Sequence, residues 1–384
     1  MSDVNNLVDP KVSASGEAKS LAFEKFTGQI KRAYHEQLGL MSYFDLQEVT
    51  GTNIVSNKYL GVTQVQALAP GKDVRGGEME FDKNSLLIDT TVIARNVVGL
   101  LDDVQDDIMV KGKLAEEQVS ALKNLEDRML LQQLIFGAIN NTKTKRTKPR
   151  VKGHGFSVVK KIKETDALFS PNKLIAGIEW VIEDLVLQNV DVRKLTIFMP
   201  WPEFNAMRDA ERICNARYNT AQGQTVTGFV LKSYNVPVVP TNQFPNKSRD
   251  HIDLDGNVAD HHILSNANNG YRYDVLTGTD GEDQEKAAAV IFGSEALLVG
   301  RSIALTGEIW WNKGNKTWYI DSYMSEGAIP DRWEHLGLLI KAADDEAGLD
   351  KRAARKAQVT QSADLTGDAS AFVAAVQAVL AANP

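Results

Sequence analysis

The stretch Leu60-Gly61-Val62-Thr63-Gln64-Val65-Gln66-Ala67-Leu68-Ala69-Pro70-Gly71 decides how the rest of the chain is read. Leu60, Val62, Val65 and Leu68 mark an extended apolar run that stops at a Pro-Gly pair. Lys72-Asp73-Val74-Arg75-Gly76-Gly77-Glu78 follows, rich in turn formers. A second apolar run then returns as Ser85-Leu86-Leu87-Ile88-Asp89-Thr90-Thr91-Val92-Ile93-Ala94. The simplest reading is a long two-stranded excursion with a charged tip. Such a hairpin alone in water is marginal. It therefore points to a partner, for which another copy of the same chain is one candidate.

Downstream, Asp102-Asp103 supplies a candidate N-cap and acidic first turn for a helix over 104–110. Gly112 predicts a break or kink. Residues 113–140 carry Ala115, Val119, Leu122, Leu125 and Met129 on one stripe. The stripe widens at Leu130, Leu131, Leu134 and Ile135, which predicts the more buried end. At 1.5 Å per residue the helix is about 40 Å long, a spine. Residues 143–163 are basic: Lys143, Lys145, Arg146, Lys148, Arg150, Lys152, Lys160, Lys161 and Lys163, with no carboxylate from 128 through 163. The run reads as a solvated loop, the commoner use of a charge run, or as a contact with nucleic acid or an acidic partner.

Residues 171–240 look like an α/β unit. Pro171 opens a helix to 188 with Ile175, Ile178, Ile182 and Leu185 on one face. A strand over 195–199, a short helix over 202–210 and a polar stretch to 228 follow. Short strands over 229–231 and 236–240 are split by a turn at Asn235, and Pro237 and Pro240 predict an edge position. Residues 246–284 read as loop. Strands over 287–292 and 296–299 lead to a hairpin, 303–311 and 317–323, turned at Asn312-Lys313-Gly314-Asn315 and faced by Trp310, Trp311, Trp318, Tyr319 and Tyr323. At the ends, residues 1–20 read as a polar arm and 21–34 as a short amphipathic helix on Phe23, Phe26, Ile30 and Tyr34. Beyond 342 a linker and an Ala-rich helix over 370–382 read as an appendage outside the core.

The chain has 384 residues, with 43 Lys plus Arg against 50 Asp plus Glu and a net charge of −7. That balance argues against a protein whose main task is to grip nucleic acid. The single cysteine, Cys214, excludes an intramolecular disulfide and reads as an inert thiol. No apolar run reaches the roughly 18–20 residues that cross a bilayer, and residues 1–16 hold no signal-peptide core, so a soluble intracellular product is expected. Phosphate-loop, dinucleotide, zinc-protease and nucleophile-elbow motifs are missing from the sequence. Asp250, His251, Asp253, Asp255, Asp260, His261 and His262 form the best candidate metal cluster. Asp253-Leu254-Asp255-Gly256-Asn257 echoes a calcium loop, but Leu264 stands where the bidentate acid belongs, so a polar surface loop is the favoured reading. The aromatic hairpin reads as packing rather than as a base-stacking platform. No catalytic residue, metal or cofactor is expected.

Taken in order, these elements resemble the major capsid proteins of short-tailed (podovirus, autographivirus-type) phages. The most specific match is the segment from Gly61, Thr63 and Gln64 to Leu68-Ala69-Pro70-Gly71. Ile88-Asp89, Asp102-Asp103-Val104-Gln105-Asp106, Gly228-Phe229 to Val239, and Pro330-Asp331-Arg332-Trp333-Glu334-His335-Leu336-Gly337 match in the same order, over roughly residues 20–340. The loop at 246–284 and the tail after 342 depart from the family pattern. The resemblance implies an α+β chain with the Hong Kong 97-type fold. Its parts would be an N-terminal arm (1–50), an extended loop (51–95), a peripheral domain with the spine (96–170), an axial domain (171–286), a peripheral return (287–341) and a C-terminal extension (342–384). It implies a non-enzymatic late protein that forms hexamers and pentamers of an icosahedral head around double-stranded DNA, with scaffolding and portal proteins as partners and no membrane. Location in the virion, after assembly in the host cytoplasm, follows.

On this reading Leu60, Thr63, Gln64, Leu68, Pro70, Gly71, Glu78 and Glu80 lie over a neighbour. Arg208, Arg212, Arg217 and Tyr218 face the capsomer axis. Asn312, Lys313, Gly314 and Asn315 lie near contacts between capsomers. Lys143, Lys145, Arg146, Lys148 and Arg150 form a basic contact segment, which Glu78, Glu80 and Asp82 of a neighbour would meet. Lys72 and Lys83 have no matched partner for a Lys–Asn crosslink, so none is expected. An encapsulin-like compartment shell, or an α/β enzyme without a recognised motif, are the alternatives.

Overall fold

The computed structural model describes residues 39–101, 110–245 and 286–354, apart from Gln64, Ala69, Lys72, Val74, Arg75, Glu78 and Gln224. The expected helices over 21–34 and 370–382, the helix start over 102–109, the loop over 246–284 and its His/Asp cluster lie outside the described residues.

The two-stranded excursion is present, with strand bounds shifted toward its base. β1 (Leu46–Glu48) precedes β2 (Ile54–Leu60), which pairs antiparallel with β3 (Phe81–Leu87) from Ile54 opposite Leu87 to Leu60 opposite Phe81. The strand expected over 60–68 is therefore paired only at its start, through Leu60 and a bond from the Gly61 N–H to the Glu80 carbonyl at 2.9 Å. Pairing stops where the Val62 N–H turns to the Lys152 carbonyl instead of to β3. The returning run over 85–94 is not one strand. It breaks at residues 88–91, and β4 (Val92–Gly99) enters a different sheet. Ile88 and Val92 are both buried, while Asp89 and Thr91 between them are exposed. The Ser325 hydroxyl donates to the Thr90 carbonyl and fixes the crossing.

α1 (Val110–Asn140) runs unbroken for 31 residues, about 46 Å. Gly112 does not end it. A single interior glycine costs only about 1 kcal/mol, against many packed side chains. Met129, Leu130, Leu131, Leu134 and Ile135 have no exposed surface, and each buried aliphatic contributes about 1.5–3 kcal/mol. The widened stripe is thus the buried end, as the pattern predicts.

After α1 come β5 (Val158–Lys163), α2 (Glu164–Phe169), α3 (Pro171–Val186), β6 (Leu195–Pro200), α4 (Trp201–Asp209), β7 (Ile213–Asn219), β8 (Thr225–Leu231), β9 (Val236–Thr241) and β10 (Ala287–Gly293). β11 (Leu297–Asn312), β12 (Thr317–Pro330) and β13 (Leu336–Ala342) close the series. A seven-stranded mixed sheet has the order β5-β13-β10-β6-β9-β8-β7, and a four-stranded sheet has the order β1-β11-β12-β4. One core joins α1 and the turn Leu40–Tyr43 to one face of the larger sheet, through Phe198, Phe292, Leu336 and Leu338. A second core packs α3 and Phe204 of α4 on the other face, through Ile197, Met199, Ile291 and Leu339. The larger sheet is therefore covered on both sides, which explains why β6 and β10 read as continuous apolar runs.

Several expectations change. The polar stretch before 228 forms the antiparallel pair β7–β8, its residues alternating between faces. β9 lies inside the sheet despite Pro237 and Pro240. Pro237 pairs only with β8 and Pro240 only with β6, so each proline has a neighbour strand on one side alone, as an edge residue does. The strands expected over 296–299 and 303–311 are one strand, β11, bent by register shifts between Arg301 and Thr306. In its turn to β12 the positive φ falls on Lys316, not on Gly314 or Asn315. β5, β10 and β13 share the larger sheet with β6–β9.

The segment just after 342 is not an appendage. Leu349 and Ala353 are buried in the second core. Lys173 holds Asp166, Asp345 and Asp350 at 2.9, 2.7 and 2.6 Å, which raises its pKa. Arg352 and Lys160 flank the Trp180 ring, and Arg352 pairs with Glu183. A further ionic group, with its carboxylates buried, joins α1 to the smaller sheet. Arg301 donates to Glu126 at 3.1 Å and to Glu326 at 3.0 Å. Burial, then the Glu326 charge, pushes Glu126 up to about 8, and burial raises Glu326 as well.

Candidate subunit interface

The base of the β2–β3 hairpin is gripped from three sides. Beneath it, Val55, Leu86 and Ile88 pack on Leu298 and Ile329. Gly300 of β11 lets them close in, since a Cβ there would lie 2.6 Å from Val55 and 3.0 Å from Ile88. At one side, the buried carboxylate of Asp331 accepts from Asn57 at 2.7 Å, from Asn84 at 2.8 Å and from the Tyr59 hydroxyl. Asn57 and Asn84 face each other across the two strands. Arg150 donates to the Tyr59 hydroxyl at 3.0 Å and lies 3.7 Å from Asp331. Its guanidinium stacks between Tyr59 at 5.0 Å and Trp333 at 4.9 Å. Burial raises Asp331 to about 6, against the pull of the Asn57 amide, and burial lowers Arg150.

At the third side the loop 150–154 runs alongside both strand ends. The Val62 N–H donates to the Lys152 carbonyl at 3.1 Å, and the Lys152 N–H donates to the Glu80 carboxylate at 2.8 Å. His154 sets one ring nitrogen 2.8 Å from Glu334 and the other 3.2 Å from the Leu60 carbonyl oxygen. Gly153 has φ +93°, and a Cβ there would overlap Val62.

Beyond this grip the hairpin presents apolar surface to solvent. Leu60, Val62, Val65, Leu68, Met79 and Phe81 are exposed by 40–98%. Large apolar side chains concentrated on one projecting element mark a contact surface. Thr63, Pro70, Gly71 and Glu80 are exposed beside them, and Gly71 supplies a positive φ. Gln64 and Glu78 lie outside the described residues. Of the acids expected to meet a neighbour's basic segment, Glu80 bonds Lys152 and Asp82 lies 3.8 Å from Arg150, both within the chain.

The basic segment divides. Lys143, Lys145 and Lys148 are exposed, Arg146 covers the Trp333 ring at 5.2 Å, and Arg150 belongs to the hairpin grip. Lys160, Lys161 and Lys163 lie on β5, paired with β13, rather than in a loop. The residues expected at the capsomer axis are dispersed. Arg208 binds Asp209 at the end of α4, and Arg212 donates to Asn172 at 2.9 Å. On β7, Arg217 is exposed, whereas the Tyr218 hydroxyl meets that of Tyr43 at 3.0 Å. In the β11–β12 turn, the Gly314 N–H donates to Asn312, and Lys313 and Asn315 are exposed.

The outer face of the smaller sheet carries a second group, partly exposed through Trp310. Trp310 stacks on Tyr319 at 4.3 Å, Arg95 covers both rings, and Asp321 accepts from Arg95 and from the Trp310 indole. Ile93 beside them is half exposed. The opposite face of this sheet packs on α1, where Gln118 bonds Asn96, Ser322 and the Ile320 carbonyl. Sequence reading missed Asn57, Tyr59, Asn84 and His154, and marked Asp331 and Glu334 only as part of the 330–337 match, without a role. They converge from four distant segments, and only the polar pair inside a β run, Asn57 and Asn84, leaves a trace in the pattern. Among the described residues no group of His, Cys, Asp and Glu is set to hold a metal, and no helix is long and apolar enough to cross a membrane.

No family model and no curated protein matches the sequence. Solved structures match the fold over most of its length. The capsid structure of cyanophage P-SCSP1u aligns with a TM-score of 0.62 at 12% identity, covering 88% of this chain and 99% of that one. The mature capsid asymmetric unit of bacteriophage PhiM1 aligns with a TM-score of 0.59 at 13% identity, covering 88% and 97%. The chain has the fold of these phage capsid subunits, of the Hong Kong 97 type, built from mixed α and β elements.

Proposed function

We propose that the chain is a major capsid protein, which assembles into hexamers and pentamers of an icosahedral phage head around double-stranded DNA. The observation that carries this reading is the hairpin. A firmly held base extends apolar side chains that find no cover within the described residues, on a fold shared with phage capsids. A structural rather than catalytic role accords with that fold.

In this reading residues 51–95 lie over a neighbouring subunit, and α1 with the four-stranded sheet forms the peripheral domain. The larger sheet belongs with the axial domain, whose 208–228 segment faces the capsomer axis. The turn at Asn312–Asn315 approaches the next capsomer. Each contact can be modest because it repeats around closed symmetry. The net charge of −7 suits a container that holds DNA weakly, since each neutralised phosphate would add salt-dependent affinity. A scaffolding protein and a portal are the assembly partners of a short-tailed phage head, which forms in the host cytoplasm and remains as the virion shell. Electron microscopy of the chain co-expressed with its scaffolding protein tests the proposal. Closed shells of uniform diameter are the expected result. Only small soluble species, with both proteins folded, would overturn it. Shells that close without scaffold and load cargo would instead identify a compartment.

A further inference from the structure

We propose that Asp331 is the positioning residue that aims the extended hairpin. It lies 244 residues beyond the end of β3, a separation no local motif spans, yet its carboxylate is the meeting point of both hairpin strands.

 Asn57 and Tyr59 reach it from β2 and Asn84 from β3, while the Asn84 amide also donates to the Pro330 carbonyl at 3.1 Å. A peg bonded to both strands resists rotation of the hairpin about its own axis as well as bending at its root. Arg150 holds the peg from behind: it is stacked between Tyr59 and Trp333 and lies 3.7 Å from the carboxylate. The apolar contacts under the hairpin fix its height over β11 but have no directional preference. Direction therefore comes from the hydrogen bonds; at the root of the hairpin those from both strands converge on Asp331, while the 150–154 loop bonds only the strand ends beyond it. The proposal concerns the unassembled subunit, so it stands or falls separately from the shell reading.

The test is a distance distribution between spin labels on Asp73→Cys, in the hairpin loop, and Lys194→Cys, on the body, in a Cys214→Ser background. It is joined to hydrogen exchange of the full-length subunit. Asp331→Asn keeps the volume but turns an amide donor toward the Asn57 and Asn84 donors. The expected result is a broadened or shifted distance distribution. Amides of β2 and β3 should exchange at least about tenfold faster, the effect of losing a hydrogen bond to a charged group, while those of β6 and β10 are unchanged. Adding Asn57→Asp, which returns an acceptor to the cluster, should narrow the distribution again. An unchanged distribution, or equal acceleration in the hairpin and the larger sheet, would overturn the proposal. If Asp331→Asn does not fold, Tyr59→Phe removes one donor and leaves the carboxylate, and the same two readings decide.

Discussion

Single residues set the tolerances of this subunit. Gly153 stands where the 150–154 loop crosses the hairpin, at φ +93° and with Val62 against its Cα. Gly153→Ala adds a left-handed strain of about 1–2 kcal/mol to an overlap that something must relieve. The expected outcome is a loss of about 2–4 kcal/mol in urea unfolding, with the hairpin amides losing protection first. Glu126 gives a prediction with a definite sign. Its pKa in the folded chain, about 8, lies above the ordinary carboxylate value, so the folded state binds the proton more tightly than the unfolded one. Stability from this group is complete at low pH and is lost as pH rises through about 8. The melting temperature of the subunit should therefore fall progressively from about pH 5 to about pH 8 and level off above it. Glu126→Gln, which stays neutral beside Arg301, should flatten that slope. A slope unchanged in the variant would assign the effect to another group.

At the scale of elements, the docked segment after β13 makes the next prediction. Leu349 is 1% exposed in the core against α3. Leu349→Ala should cost about 2–5 kcal/mol, measured by chemical denaturation, whereas a free appendage would lose nothing. The same segment shows why parts of the fold escaped the sequence. The charge runs at 344–346 and 351–356 read as part of an appendage, and only the side-chain partners Lys173, Glu183 and Trp180 on α3 turn those charges into anchors. By contrast α1, α3, β6 and β10 were legible, because a long stripe or an unbroken apolar run needs no distant partner to be recognised. β7 was hidden because one face of it is open, so its seven residues look polar. The merger of two strands into β11 was hidden because its bulges fall where the pattern changes phase. The exposed hairpin tip was legible from Leu60 to Gly71, while its anchor was not: Asn57, Arg150 and Asp331 carry no shared spacing.

At the scale of the whole molecule, exposed apolar surface and covered sheet faces separate assembly from folding. Val65 and Leu68 are 98% and 73% exposed, so replacing both with Asp removes no contact of the isolated subunit. The double variant should unfold like the parent yet yield no particles in a sedimentation assay. Normal shells from it would place the essential contact elsewhere, with the Trp310–Tyr319 face the next surface to alter.

The strand order carries a consequence for synthesis. β13 sits between β5 and β10, β12 lies beside β4, and β1 needs β11. Both large sheets therefore wait for the C-terminal part of the chain. At 5–20 residues per second, a ribosome takes roughly 20–70 s to reach β13. Throughout that time β4, β5 and α1 have emerged without the strands that cover them. Nascent chains of this protein should thus be held by chaperones until late in translation, and an early stop codon anywhere before β13 yields a product for proteolysis instead of a smaller domain.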